Sequence, residues 1–178
     1  MFYRAPKRKA TGSVVEFTAI VPVFALFILI PMMDLGTVSL RTTFITVAAR
    51  DAVHKAIKAR SFEADLNGSP SAKTMAGDIA KARAESFGGV RVKQVITRIV
   101  TVAMNDSADV QKFEHSLPAS PEPNPRTTVY QLEVEVQGEI EPLLRSGGVF
   151  SEIPGLSKPL PFTSIAREIF EDPSALTL

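Results

Sequence analysis

Few residues in this 178-residue chain have the type and spacing that chemistry requires. Glu133 and Glu135 alternate along TVYQLEVEVQGEIEPLL, a strand-like stretch that sets the two carboxylates on one face, about 7 Å apart. Paired carboxylates at that range are the raw material of a glycosidase or a calcium site. Arg91, Lys93 and Arg98 explain them more simply, as cross-strand partners on a solvated sheet face. His54 and His115 lie far apart in sequence, and without cysteine neither has a metal constellation around it. The serines form no G-x-S-x-G, and neither a Walker A loop nor G-x-G-x-x-G is present. The expectation is a protein that is not an enzyme and carries no metal or cofactor.

The elements around these residues are more informative. The composition is 45% apolar and 22% charged, with no Cys and no Trp, and the mean hydropathy is +0.12. These values suit one ordinary domain and exclude collagen-like, disulfide-rich and wholly disordered chains. The apolar residues are concentrated. Phe17 to Met33 reads FTAIVPVFALFILIPMM, seventeen residues without a charge, and Val14 and Val15 bring the stretch close to a bilayer span. Pro22 and Pro31 would break a soluble helix but are tolerated in a membrane helix. A cleavable secretory signal would have a shorter core and an A-x-A-like site, which PMMDLG lacks. A retained anchor over residues 13–34 is the better reading.

The formal net charge of +1 conceals large blocks. Residues 1–15 carry +4, residues 16–34 carry −2, residues 35–99 carry +6 and residues 100–178 carry −7. The cations of the head (Arg4, Lys7, Arg8, Lys9) precede the span, and none follows it before Arg41. By the positive-inside rule, residues 1–12 form a cytoplasmic leader and residues 35–178 are exported. Nucleic-acid binding by the basic stretch fails on that topology.

Glu16 is costly at the start of a membrane helix unless it has a partner. With its neighbours, KRKATGSVVEFTAIVPVFALFILIPMMDLG resembles the N-terminus of TadE/TadG-like proteins, the pseudopilins and membrane-anchored accessory proteins of bacterial tight-adherence pili. The matching features are a basic leader, the small Gly12, Val14-Val15, Glu16-Phe17, an apolar helix with Pro22, and Asp34 followed by Gly36. The resemblance implies a single-pass protein of the inner membrane with an extracytoplasmic C-terminal domain. It further implies partnership with membrane lipid, other pilin-like subunits and an inner-membrane assembly platform. A prepilin peptidase would cut beside Thr11, Gly12 or Ser13, and Glu16 with Phe17 would register one subunit against the amine of the next. Cutting after Gly12 makes Glu16 the fourth residue, where the pattern usually has it fifth, and cutting after Thr11 restores the fifth place. An uncleaved, TadG-like arrangement stands beside both.

Beyond Gly36 the helical period continues. Leu40, Phe44, Val47 and Ala48 with Ala52 form one stripe, expected as a helix–helix face, and Ile45, Ala49, Val53 and Ile57 form its neighbour. An amphipathic helix is expected over residues 35–62, ended by Asn67-Gly68-Ser69-Pro70, and a second over 71–87 with Met75, Ile79, Ala82-Arg83 and Phe87 near helical spacing. Strands are expected over about 91–104, 128–141 and 162–170, with LPASPEPNPRT irregular between the first two. Leu132, Val134, Val136 and Ile140 should face one side of the middle strand, and Glu133, Glu135, Glu139 and Glu141 the other. The fold class is therefore α+β: a long membrane-plus-amphipathic helix, a second helix, and about three antiparallel strands. A membrane-tethered extracytoplasmic binding domain that joins no filament is the alternative function.

Overall fold

The structure is a computed structural model that describes residues 12–66, 68–119, 123–143, 152–170 and 172–177, with side chains from Phe17 onward except at 106–108. Residues 1–11, all of the expected leader but Gly12 and including Thr11, lie outside the described residues. One helical rod begins the chain: α1 (Gly12–Phe24), a π-helical segment (Ala25–Leu29) and α2 (Ile30–Ala56). Pro31 has no N–H to donate and its ring crowds the turn before it. The wider π turn sits in that place, so the rod continues through the proline.

The rod changes character at Asp34. From Phe17 to Met33 the residues are exposed apart from half-buried Ala25, Ile30 and Pro31, whereas Asp34 itself, Val38, Ile45, Ala48, Ala49, Ala52, Val53 and Ala56 are buried. α2 stops at Ala56, short of the expected Phe62, and the chain turns so that Phe62 is wholly buried. The carbonyls of Ser61 and Phe62 then accept from the N–H groups of Ala72 and Lys73, at 2.9 and 3.1 Å. These are first-turn donors of α3 (Ala72–Glu85), which Ser71 caps by accepting from Thr74.

α3 buries Ala72, Ala76, Ala80 and Ala84, a strict four-residue repeat of the smallest side chain that allows close approach to α2. The stripe expected from larger residues is corrected: Met75 and Ile79 are half-buried, and Ala82, Arg83 and Phe87 are exposed. Both helices pack on one face of a four-stranded antiparallel sheet. Its strands are β1 (Val90–Ala103), β2 (Asp106–Phe113), β3 (Thr128–Ile140) and β4 (Leu160–Ile169), in the order β2-β1-β3-β4. The expected α+β class and antiparallel sheet hold. β2 is additional, joined to β1 by a two-residue turn at Met104-Asn105. Leu132, Val134, Val136 and Ile140 join Ile99 and Ile45 in the core, as their alternation requires. Gly138 lies where β3 meets a bulge in β1 between Val92 and Gln94.

Candidate functional site

Two surfaces stand out, and the first is the bare part of the rod. Eleven large apolar side chains between Phe17 and Met33 are exposed, from Phe17 and Ile20 to Met32 and Met33. Each is about half exposed, so keeping it from water is worth about 1 kcal/mol, and together they rival the ~5–15 kcal/mol stability of a typical domain. Phe17–Ala56 is a helix long and apolar enough to cross a membrane, and the protein covers almost none of its most apolar portion. It lies near the N-terminus, as an anchor or a signal sequence would. Gly12 and Ser13 open α1 and Glu16 lies in its second turn; the Glu16 side chain lies outside the described ones. Phe17 is exposed. Of the expected helix–helix face Ala48 and Ala52 are in the core. Leu40 and Val47 point outward, and Phe44 stacks on Phe87 with ring centroids 3.7 Å apart.

The second surface is the sheet face turned away from the helices. Cross-strand register sets Arg98 of β1 and Arg167 of β4 on either side of Glu133. Lys112 of β2 reaches the same carboxylate. Lys112 Nζ donates to both Glu133 oxygens at 2.9 and 3.0 Å, Arg167 Nε to one at 2.7 Å, and Arg98 Nη1 to the other at 3.4 Å. The cations cover the carboxylate so fully that Glu133 has no exposed surface although it faces away from the core. Burial by itself would raise its pKa, but the hydrogen bonds and charges of Lys112 and Arg167 outweigh that and hold it below the ordinary value. Arg98 also donates to Glu135 at 2.5 Å and to Glu114 at 2.9 Å. Gln137 and then Arg98 keep Glu135 ionised below the usual carboxylate range. Lys93 pairs with Glu139, and Arg91 lies 2.9 Å from Glu141. Of the three cations expected to partner Glu133 and Glu135, Arg98 does so; Arg91 and Lys93 pair across strands with Glu141 and Glu139 instead, and Glu133 is buried rather than solvated. Lys112 and Arg167 are the partners that sequence reasoning missed; Arg167 shares the period-two row of Ile165 and Ile169, opposite the glutamate row of β3.

This arrangement neutralises carboxylates rather than freeing one for acid–base work. Glu133 is offered three cations. Exposed Ile165, Ile169 and Val110 border the cluster on the same face. The histidines are paired separately, His54 Nδ1 with Glu168 at 2.9 Å and His115 Nδ1 with Glu63 at 3.3 Å. His54 borders a cleft of about 380 Å³ whose lining mixes Lys58 and Arg60 with Glu168 and Asp172. Among the described residues no group of three or more His, Asp or Glu is placed to hold a metal ion. Compared with protein-family models, curated proteins and solved structures, the chain matches none.

Proposed function

We propose that this chain is a membrane-anchored structural subunit of TadE/TadG-like type, serving a bacterial tight-adherence pilus or a related secretion system, and that it works by assembly rather than catalysis. The observation that carries the reading is a single rod whose first half is bare and apolar while its second half, from Asp34, is the core helix of a folded domain. Such a rod couples whatever holds the apolar half directly to the domain, with no flexible linker. The +4 head places the N-terminus in the cytoplasm and residues 35–178 outside the inner membrane. Glu16 is the polar registration point among neighbouring pilin-like helices. Phe17 to Met33 pack against lipid and those helices, and outward Leu40 and Val47 extend that contact surface beyond the bilayer.

Glu16→Ala tests the reading. The variant should stay in the membrane pellet after alkaline extraction but lose crosslinking to its pilin-like partners. Unchanged crosslinking rejects the registration role, and extraction of the parent protein into the supernatant rejects the anchor. Sequencing the mature N-terminus separates cleavage after Thr11 or Gly12 from retention of Met1. The second reading, a tethered binding domain outside any filament, is favoured by exposed Ile165, Ile169 and Val110 around the Glu133 cluster. It predicts that substitutions on that face, and not Glu16→Ala, abolish partner binding.

A further inference from the structure

The rod enters the domain at one identifiable end. Val38, the first buried apolar residue after Asp34, lies against Gly155, where an added Cβ would be 3.8 Å from its side chain. One turn later, Arg41 donates to the carbonyl of Glu141, whose own N–H donates to the Gly89 carbonyl at 2.7 Å. The order of these contacts along α2 fixes the direction of the sheet: β3 runs toward the span, with its Ile140 end beside Gly89 and Arg41. The turn around Gly155 and the segment after Glu141 therefore form the end of the domain nearest the apolar rod.

Helical rise puts Val38 about 7.5 Å beyond Met33 and Arg41 about 12 Å beyond it. Headgroups extend about 5–7 Å past each side of a ~30 Å hydrocarbon core. If the core ends at Met33, the Val38–Gly155 contact lies at the outer edge of the headgroup layer. Leu143 follows Glu141 by two residues, a reach of up to about 7 Å, and Ile153 precedes Gly155 by two. Both are large, apolar and close to half exposed, at 47% and 43%. Among the described cations nearby, Arg91 is compensated by Glu141 and Lys158 by Glu152, and Arg41 is held on the Glu141 carbonyl. What this end offers a partner is therefore apolar rather than electrostatic.

We propose that Leu143 and Ile153 form a second membrane contact, which seats the domain on the surface of the bilayer that holds its own helix. The proposal rests on the anchor reading, and the occupant follows from continuity: the stiff rod that enters lipid leaves these side chains at the level of the headgroups. The seat limits the tilt of the domain about its helix, so every copy presents the sheet face at the same height and angle.

The chain contains no tryptophan, so single Trp variants of the full-length protein report their own depth without background. The variants Phe27→Trp, Leu143→Trp, Ile153→Trp and Met104→Trp are reconstituted in vesicles of equal parts phosphatidylcholine and phosphatidylglycerol. Emission is compared with and without lipids brominated near the top of their acyl chains. Phe27→Trp reports the span, and Met104→Trp, at the opposite end of β1, reports the aqueous baseline. Leu143→Trp and Ile153→Trp are expected to be quenched at least half as strongly as Phe27→Trp, and equally at low and high salt. If Phe27→Trp is quenched while both loop variants match Met104→Trp, the seat is refuted and the anchor stands. If Phe27→Trp is unquenched, the anchor reading fails and the seat with it.

Discussion

Glu133→Ala is the perturbation that tests most of the sheet-face argument at once. The carboxylate is fully buried under Lys112, Arg167 and Arg98, and removing one member of a buried ion pair costs about 3–5 kcal/mol when the other is stranded. Here the stranded groups have an escape. Lys112 and Arg167 keep 42% and 45% of their side-chain surface in water, and Arg98 retains Glu114 and Glu135. That lowers the expected cost to about 2 kcal/mol, which for a chain of this size is a fall in Tm of about 4–8 °C. Scanning calorimetry of the full chain in detergent micelles reads it, with the exposed Glu152→Ala expected within about 0.5 kcal/mol of the parent. The pH dependence has a definite sign. Because folding lowers the pKa of Glu133 below 4.5, its contribution is complete above that value and is lost as pH falls through the folded-state value. The gap in Tm between parent and Glu133→Ala should therefore be constant near neutral pH and close below pH 4.5. A variant no less stable than Glu152→Ala, or a gap that widens in acid, would refute the reasoning.

Three other outcomes follow from the geometry. Gly138→Ala should cost roughly 1–3 kcal/mol, because its Cβ would lie 2.2 Å from the Arg91 carbonyl oxygen and 2.7 Å from the Phe162 ring. Trimming the ring with Phe162→Ala in the same chain should not restore stability, since the carbonyl clash stays; calorimetry of both variants decides. Ser71→Ala removes the acceptor for the Thr74 N–H and should cost about 1 kcal/mol, while Gly36→Ala, with open space around its Cβ, should gain about 0.5–1 kcal/mol. The basic and acidic blocks already meet inside one chain through Arg98, Lys93 and Arg91, so raising salt should leave self-association nearly unchanged. A steep loss by light scattering would place some of those pairs between copies.

The features legible from sequence are those with a local period. The charge-free run Phe17 to Met33 stands out because a span needs only contiguous apolar residues, and the Glu133/Leu132 alternation because a pleat has period two. Helix α2 was readable in its existence but not in its buried face. Leu40, Phe44 and Val47 outweigh the alanines in hydrophobicity, yet Ala48, Ala49 and Ala52 are buried because α3 approaches through alanines of its own. Small residues win there on distance rather than on transfer free energy, and distance is a property of the pair of helices. Phe62 was hidden for a related reason: its burial requires the helix to stop early.

β2 escaped because DSADVQKF is polar and its pairing with β1 is made through a turn with weak chemistry at Met104-Asn105. With β2 unseen, Lys112 had no route to Glu133. By itself, then, the sequence determined the apolar rod, the charge blocks, the antiparallel alternation and the face on which the glutamates lie. Each of these depends on neighbours a few residues apart. Only the tertiary structure decided that Lys112, Arg98 and Arg167 converge on one carboxylate, that Asp34 marks the point where the rod enters the domain, and that Leu143 and Ile153 stand at the end of the domain nearest the span. Those facts depend on strand order and on contacts between residues far apart in the chain, which no local pattern encodes.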